Sequence, residues 1–166
     1  MIVMVGPMGA GKTTVAGLVA ARLGLSVRDT DHDVEATVGR TISEIFVDDG
    51  EAAFRDLERA AVAEAIAAHE GVLALGGGAV LDPGTRDLLA GHDVVFLRVG
   101  LSDAVKRVGL GSSRPLLLGN VRGRIKTLLD ERTPVYESVA TLVVDTDGRS
   151  PEEIADEIVE ALGIAA

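Results

Sequence analysis

A Gly-rich segment near the start of the chain restricts the possible folds more than any other feature. Residues 6–14 read GPMGAGKTT and match the pattern G-x-x-x-x-G-K-[ST]. An apolar run, Ile2–Val5, comes before the segment, and a helical pattern over Lys12–Leu23 comes after it and ends at Gly24. Strand, loop and helix in this order form a phosphate-binding loop (P-loop), because consecutive backbone N–H groups can surround phosphate oxygens at the positive end of the helix. A Gly-rich turn that carries Lys-Thr by coincidence is the alternative.

The pattern also assigns side-chain roles within this P-loop. Lys12 would bridge the β- and γ-phosphates of a nucleotide, and the Thr13 hydroxyl would ligate Mg²⁺. Switch GTPases share the loop, but they normally carry an Asn-Lys-x-Asp motif that contacts the base. The single asparagine of this chain, Asn120, is followed by Val121, which argues against a GTPase.

Apolar runs alternate with helical periods along the chain, and this alternation predicts a parallel α/β sheet. The runs at 2–5, 25–29, 71–75, 94–97 and 142–144 are the predicted strands. Helices are predicted at 12–23, at two short pieces between the second strand and residue 50, and at 51–69, 102–108, 121–131 and 151–162, with another beginning at Asp82-Pro83. The second short piece opens at Thr41 with Glu44 three residues on, as a capping box does. Residues 110–120, polar and Gly-rich at both ends, are predicted to form a loop or lid.

Length and composition are those of one globular domain, which we predict over residues 1–166. The sequence contains no cysteine, which excludes disulfides, thiolate metal sites and cysteine nucleophiles. A formal net charge of −10 without a basic stripe argues against nucleic acid as a partner. No basic leader opens the chain, and the longest apolar stretch, around 72–81, contains three glycines and is too short to cross a bilayer. We therefore predict a monomeric, cytoplasmic protein without a membrane partner.

Two acids follow the second predicted strand, in the tripeptide Asp29-Thr30-Asp31. Ligand-contacting groups lie at the carboxyl ends of strands in open α/β sheets, and residues two apart on an extended segment point the same way. One carboxylate could therefore serve the metal while the other accepts a hydrogen bond from an acceptor hydroxyl. The alternative is a solvated acidic turn with Asp31 or Asp33 as the N-cap of a helix.

The same tripeptide recurs at residues 145–147, where the simpler interpretation is preferred. Ser150, Pro151 and Glu153 have the order of an N-cap, an N1 proline and a capping glutamate. The acids at 145 and 147 therefore belong to an ordinary strand-to-helix turn.

Three arginines are candidates for anion binding, and each has a structural alternative. Arg55 lies between Glu51 and Glu58 on a predicted helix, where an exposed ion-pair network would explain it. Arg114 lies in a segment that is Gly-rich before it and stiffened by proline after it, which suits a lid residue above a γ-phosphate as well as a surface loop. Arg132 precedes Pro134 at the predicted end of a helix, where it would complement the helix dipole.

Gly76, Gly77 and Gly78 follow an apolar strand and permit close approach of the backbone to a ligand, with a tight turn as the alternative. The three histidines are scattered, and no set of nucleophile, histidine and acid can be assembled from the sequence.

The motifs in their order along the chain resemble the shikimate kinase family, in the nucleoside-monophosphate-kinase-like branch of P-loop proteins. They are GPMGAGKTT, DTDHDVE, GRTISEIFVDDGEAAFR, LALGGGAV, SRPLL, RTPVYE and DTDGRSPEEI, and they cover essentially the whole chain. The resemblance implies a three-layer α/β/α sandwich with a parallel five-stranded sheet, a mobile lid near 110–120 and a shikimate-binding helical region near 31–60. It also implies Mg²⁺-dependent transfer of the ATP γ-phosphoryl group to the 3-hydroxyl of shikimate.

On the nucleotide side, the resemblance implies that the P-loop holds ATP, with Thr13 and Asp29 on the Mg²⁺ side. Arg114 would be the lid arginine at the transferring phosphate. The residues of the loop that would hold ATP are Gly9, Ala10, Gly11, Lys12, Thr13 and Thr14. The residues that would border the adenine are Arg107, Arg149 and Pro151.

On the acceptor side, the resemblance implies that Asp31 contacts the ring hydroxyls, while Arg55 and Arg132 bind the carboxylate. The segment Gly76–Gly78 would approach the ring through its backbone, Gly77 above all. The residues that would line or brace the pocket are Phe46, Phe54 and Glu58.

Two other functions stay open from the sequence alone. A different small-molecule kinase of this architecture, acting on gluconate or a nucleotide, would share the P-loop. A silent nucleotide-binding regulator would be expected to lack Lys12, Asp31 or Arg114, all of which are present.

Overall fold

The computed structural model describes residues 1–110 and 120–164, without the side chains of 108–110. Within these residues five strands form one sheet in the order β2-β3-β1-β4-β5, and every neighbouring pair is parallel. The strands are β1 (Ile2–Val5), β2 (Val27–Asp29), β3 (Val72–Ala74), β4 (Asp93–Arg98) and β5 (Leu142–Asp145). The predicted parallel α/β sheet is confirmed.

Helices connect the strands, as parallel pairing requires. Over the described residues they are α1 (Lys12–Leu23), α2 (Thr30–Val38), α3 (Ile42–Asp49), α4 (Glu51–Ala68), α5 (Pro83–Leu89), α6 (Leu101–Leu110), α7 (Val121–Val139) and α8 (Pro151–Leu162), with a 3₁₀ turn at Ala79–Leu81. Gly24 ends α1 in a left-handed conformation with φ 65°, and the Ser150 hydroxyl caps α8 by accepting the Glu153 N–H, both as predicted. Thr41 caps α3 through the Glu44 N–H.

Alternate residues of the central strand supply two separate cores. Ile2 and Met4 pack on one side of the sheet with α1 and α8, whereas Val3 and Val5 pack on the other with α4 and Tyr136 of α7. All four strand residues are almost fully buried, and burying such a side chain contributes roughly 1.5–3 kcal/mol. The sheet is therefore the middle of three layers, as the α/β/α prediction requires.

A smaller apolar cluster holds α2, α3 and α4 together beyond the sheet. Val34, Ile45 and Phe54 are its buried members, and Phe46 packs against them. This cluster places the helices of the 31–60 region beside the carboxyl ends of β2 and β3.

The prediction that the helix after residue 120 ends at residue 131 is wrong. Helix α7 continues through Pro134 to Val139. Proline in a helix interior removes one backbone hydrogen bond and costs about 3 kcal/mol or more. Burial of Tyr136 in the core beyond the proline offsets that cost. Arg132 is consequently an interior residue of α7, so the helix-dipole explanation of this arginine is also wrong.

None of the helices in the described part of the chain is both long and apolar enough to cross a membrane.

Candidate active site

The strand order brings three separate sequence segments to one edge of the sheet. Strand β3 lies between β2 and β1, and all three run in the same direction. The P-loop follows β1, Asp29 ends β2, and Gly76–Gly78 come just after β3. Ligands of open α/β sheets bind outside the carboxyl ends of the strands. The segments singled out in the sequence therefore meet where a ligand is expected.

The P-loop turns directly into α1. Gly11, the residue before the helix, has a left-handed conformation with φ 86°, and no side chain of the described residues caps the first turn of α1. Gly6 has φ 150°, and a Cβ there would lie 2.8 Å from the Leu97 carbonyl oxygen on β4. Glycine is thus required at residue 6, and the first turn of α1 presents N–H groups suited to an anion.

Ala10 differs from the other residues predicted to hold ATP, because its side chain belongs to the apolar core. The residue is 2% exposed and packs in the cluster that contains Met4 and Val15. Its N–H donates to the Pro7 carbonyl oxygen at 3.2 Å and so closes a turn within the P-loop. The methyl group of Ala10 therefore packs in the core and helps to shape the loop. That Ala10 helps to hold ATP as part of the loop backbone stays a prediction.

Lys12 lies over the P-loop. Its Nζ donates to the carbonyl oxygens of Gly6, at 2.8 Å, and Pro7, at 2.9 Å. Burial lowers the pKa of Lys12 to about 8, although the charges of Asp31 and Asp29 act in the opposite direction. The ammonium is therefore held close to both acids at the strand edge.

Asp29 joins the P-loop to α2. Its Oδ2 accepts a hydrogen bond from the Thr13 hydroxyl at 2.8 Å, and its Oδ1 accepts the Asp31 N–H at 2.9 Å as the N-cap of α2. The sequence-based picture of Asp29 and Asp31 on one extended segment is wrong, because Asp31 lies in the first turn of the helix. Neither Asp31 nor Asp33 is the N-cap. The two acids are nevertheless close, and the charge of Asp29 raises the pKa of Asp31.

Thr13 and Asp29 together suit a magnesium ion. Both present oxygen atoms, and Mg²⁺ in phosphate-transfer sites is usually held by one or two protein oxygens, water and substrate phosphates. Across residues 1–110 and 120–164, no three His, Asp or Glu side chains are grouped as they would be in a site built from protein ligands alone. Phosphate oxygens and water would therefore complete the coordination.

Asp31 is partly buried beside two other carboxylates. Burial, followed by the negative charges of Asp29 and Glu58, raises the pKa of Asp31 to about 6, and the Lys12 charge opposes this shift. A carboxylate of raised pKa attracts a proton more strongly than an ordinary aspartate does. Asp31 can therefore accept a hydrogen bond or a proton at this position.

Two of the three glycines after β3 lie against side chains of the site. A Cβ on Gly76 would lie 2.7 Å from Asp31 Oδ1 and 2.9 Å from Glu58 Oε2, and a Cβ on Gly78 would clash with the Arg55 guanidinium. Close approach therefore explains glycine at residues 76 and 78, whereas a Cβ on Gly77 would make only ordinary contacts with the P-loop backbone.

Thr30 also binds this segment, although no sequence signal singled it out. Its buried hydroxyl donates to the Ala74 carbonyl at 3.5 Å and accepts the Gly76 N–H at 3.4 Å. The threonine of the Asp-Thr-Asp tripeptide thus fastens the start of α2 to the end of β3.

Arg55 has both ion pairs that the helical spacing suggested. Its NH1 lies 2.7 Å from Glu58 Oε1, and its Nε lies 3.6 Å from Glu51 Oε1. Only 5% of the Glu58 side chain is exposed, so this pair faces the interior of the site rather than solvent. Burial raises the pKa of Glu58, while the Arg55 charge lowers it. The ion-pair network and a site role for Arg55 are therefore compatible.

The two phenylalanines of the predicted pocket contact each other, and Phe54 also lies beside Arg55. The ring centroids of Phe46 and Phe54 are 4.8 Å apart, and the Arg55 Cζ lies 5.3 Å from the Phe54 centroid. Phe54 is 4% exposed, so it braces the site from its apolar cluster.

Helix α7 carries Arg132 toward the same edge. Burial is the main cause of the raised pKa of Glu58 and of the lowered pKa of Lys12; the positive charge of Arg132 opposes the first shift and adds to the second, as a residue near both side chains would. One helical turn later, the Tyr136 hydroxyl donates to the Gly77 carbonyl oxygen at 2.5 Å. Tyr136 was not among the predicted site residues, and its only sequence signal is its place in the RTPVYE motif.

On the other side of the P-loop, Arg107 joins two loops. Its NH1 donates to the Gly9 carbonyl at 3.1 Å, and its NH2 donates to the Thr146 carbonyl at 3.3 Å. Arg149, before α8, donates to the Asp145 carbonyl and pairs with Glu157. A cavity of about 350 Å³ lies here, lined by Asp103, Lys106, Arg107, Gly148 and Arg149. Two of the three residues predicted to border adenine thus line one cavity, and Pro151 begins the adjacent helix α8.

The Asp145–Asp147 turn has the structural role expected of it. Arg98 donates to both oxygens of Asp145, at 2.6 and 2.9 Å, and the Asp147 carboxylate accepts the Gly100 N–H.

The predicted lid covers residues 110–120 and contains Arg114. Apart from its two end positions, residues 110 and 120, this segment lies outside the described residues.

A P-loop beside a partly buried aspartate and a cluster of arginines defines a P-loop kinase that acts on a small anionic acceptor. The family model for shikimate kinase matches residues 8–163. The chain belongs to the shikimate kinase family.

Relatives from two bacteria support this membership along the whole chain. The shikimate kinase of Thermobifida fusca is 56% identical over 165 residues, which cover 99% of this chain and 96% of the relative. The shikimate kinase of Salinispora arenicola is 60% identical over 160 residues and 96% of each chain. A solved structure, shikimate kinase from Acinetobacter baumannii in complex with shikimate, superposes with a TM-score of 0.91 at 36% identity, covering 97% of this chain and 91% of that one. The gluconate, nucleotide and regulator alternatives are not favoured by these matches.

Proposed function

We propose that this chain transfers the γ-phosphoryl group of ATP to the 3-hydroxyl of shikimate and that Asp31 orients the attacking hydroxyl. The position of Asp31 carries the proposal. This carboxylate lies close to Lys12 on the phosphate side and beside Gly76 and Glu58 on the acceptor side. The attacking hydroxyl must lie where the phosphate-binding and acceptor-binding regions meet, and Asp31 lies at this boundary.

Arg55 and Arg132 bind the carboxylate of the acceptor in this proposal. Charge-assisted hydrogen bonds contribute roughly 1.5–3 kcal/mol each, which would favour an acid over an uncharged polyol. Glu58 holds Arg55 at 2.7 Å and so fixes the direction of its guanidinium. Gly76, Gly77 and Gly78 leave room for the ring, and Phe54, which packs against Phe46, supports the arginine.

ATP binds with its phosphates in the loop from Gly9 to Thr14. Its adenine lies toward the cavity lined by Arg107 and Arg149, with Pro151 at the edge. Mg²⁺, held by Thr13 and Asp29, supplies positive charge to the phosphates when bound. Arg114, assigned from the sequence alone, would add charge at the transferring phosphate.

The chemistry demands positioning more than covalent catalysis. The acceptor oxygen forms a bond to the γ-phosphorus while the bond between that phosphorus and the β,γ-bridging oxygen breaks, and ADP leaves. The hydroxyl proton passes to Asp31, whose raised pKa suits it to receive a proton. Lys12 stabilises the charge that develops on the phosphate oxygens.

ADP release with a panel of shikimate, gluconate and nucleoside monophosphates tests the proposal. We expect turnover with shikimate to exceed turnover with the other acceptors. Equal or greater turnover with another member would contradict the proposed substrate. ATP binding without phosphoryl transfer to any acceptor would favour the silent regulator.

Replacing Arg55 with Ala is expected to raise the KM for shikimate about 10- to 100-fold, because one charge-assisted bond to the carboxylate is lost. The KM for ATP should change less than twofold, since Arg55 lies on the acceptor side. Steady-state kinetics with each substrate varied in turn measures both constants.

Arg59→Ala is the matched control for Arg55. Arg59 lies one turn further along α4 and pairs with Asp56 at 2.8 Å and Asp82 at 2.9 Å, and half of its side chain is exposed. Both KM values should stay near those of the parent. If Arg55→Ala raises the two KM values alike, the role of Arg55 is structural.

Several further properties remain predictions. The single domain, the monomer, the cytoplasmic location and the lack of a nucleic-acid partner are expectations from the sequence that stay to be tested. Sedimentation of the purified protein at several concentrations would test the monomer.

A further inference from the structure

The hydroxyl of Tyr136 makes a polar contact that the mechanism above does not use. The residue is the single tyrosine of the chain, and it is 1% exposed. Its ring packs against Phe96 on β4, with centroids 5.0 Å apart, within the core on the α4 side of the sheet. Its hydroxyl nevertheless donates to the Gly77 carbonyl, 2.5 Å away at the strand edge. Phenylalanine would fill the same place in the core, so packing alone does not explain the hydroxyl.

Gly77 lies between the P-loop and the acceptor side. A Cβ on Gly77 would be 3.4 Å from the Met8 nitrogen and 3.7 Å from the Gly6 carbonyl oxygen, so this glycine touches the P-loop. Its two neighbours lie against Asp31 and Glu58 on one side and against Arg55 on the other. A shift of the Gly77 carbonyl would therefore move the segment relative to every acceptor-binding group around it.

The same hydroxyl lies on the side of α7 that carries Arg132. Arg132 and Tyr136 are four residues apart on α7 and thus share a face of the helix. Burial raises the pKa of Tyr136, while the positive charges of Arg132 and Arg55 oppose this shift. The phenol therefore stays protonated at neutral pH and remains a hydrogen-bond donor to Gly77.

We propose that Tyr136 is a positioning residue for the acceptor: its hydroxyl holds the Gly77 carbonyl in a fixed place beside the helix face that carries Arg132. The inference rests on the proposed function, because the arrangement matters only if an anionic ring binds between these groups. Thr30 holds the preceding residue through the Gly76 N–H. With Gly76 and Gly77 both held, the segment presents its backbone to the acceptor without a rearrangement on binding.

Tyr136→Phe tests the role of the hydroxyl, because phenylalanine keeps the ring and removes one polar atom. We expect the KM for shikimate to rise about 3- to 10-fold, as the loss of one hydrogen bond implies, while the KM for ATP stays within twofold. Phe96→Leu is the matched control, since it disturbs the packing of the same ring and no polar contact. This control should lower the Tm and leave both KM values near the parent values.

Two results would overturn the inference. One is a Tyr136→Phe enzyme with both KM values unchanged, or with both raised alike. The other is a Phe96→Leu enzyme that shows the same selective rise for shikimate, because packing would then explain the effect. Failure of the parent enzyme to phosphorylate shikimate would overturn the proposed function together with the inference, so the two failures are distinguishable.

A second measurement keeps the test decisive if Tyr136→Phe does not fold. Biosynthetic labelling with 3-fluorotyrosine places one ¹⁹F reporter in the chain, because Tyr136 is its only tyrosine. The carboxylate of shikimate, bound at Arg132 one helical turn away, should shift this resonance through its charge without any rearrangement, and the shift should saturate at the concentrations that saturate turnover. An unchanged resonance at saturating shikimate would overturn the inference.

Discussion

Replacing Asp31 with Asn is expected to lower kcat by about 10²–10⁴-fold, the range that a positioned acid–base group contributes. Asparagine keeps the size of the side chain and removes its ability to take a proton. The affinity for ADP should remain near that of the parent, because Asp29 rather than Asp31 contacts Thr13 of the P-loop. Single-turnover kinetics measures the chemical step, and calorimetric titration with ADP measures the affinity.

Asp33→Asn is the matched control for this experiment. Asp33 lies in the same first turn of α2, but its carboxylate pairs with Arg28 at 2.6 Å, away from the acceptor groups. The control should lose some stability through this pair and retain kcat. An Asp31→Asn enzyme with parental kcat would exclude the proposed role of Asp31, and an equal loss in both variants would make the effect one of helix structure.

Replacing Lys12 with Met is expected to lower kcat about 10²–10³-fold, the cost observed when one preorganised donor to a developing negative charge is removed. Methionine preserves most of the unbranched side chain and removes the ammonium. The lower kcat should be observed at saturating shikimate. The KM for ATP should rise as well, since Lys12 contacts the bound phosphates in the proposed complex. The KM for shikimate should change least.

Lys126→Met controls for loss of a lysine charge. Lys126 is 62% exposed on α7 and pairs with Asp130 at 2.6 Å, an ion pair of the kind that contributes little to stability. This variant should behave as the parent in all three kinetic constants. A Lys12→Met enzyme with parental kcat and parental KM for ATP would show that the P-loop of this chain does not bind phosphate as proposed.

Much of the fold was predictable because its signals are local. The P-loop needs a strand, glycines and a helix in immediate succession, and all three lie within residues 2–23. Apolar runs and helical periods likewise extend over a few residues each. Their alternation along the chain therefore predicted the parallel α/β sheet. The family resemblance supplied the site residues in the same way, because motifs such as GRTISEIF and LALGGGAV are continuous in the chain.

The error in the length of α7 arose where distant contacts outweighed local preference. Pro134 indicates a helix end, yet α7 passes through it because burial of Tyr136 stabilises the continuation. The error at Asp29 and Asp31 is of another kind. They were interpreted as neighbours on an extended segment, whereas the Asp29 side chain caps α2 by a local hydrogen bond to the Asp31 N–H. The cap was assigned to Asp31 or Asp33, so the helix begins earlier than the sequence predicted.

By itself, the sequence determined the class of fold, the phosphate-binding loop and the family, because each depends on residues close together in the chain or on a continuous motif. The tertiary structure decided which of these residues meet. Strand order alone places the ends of β1, β2 and β3 side by side, and only then do Asp31, Arg55 and Gly76 share one site. The raised pKa of Asp31 and the contact of Tyr136 with Gly77 are consequences of burial, which depends on the packing of elements far apart in sequence.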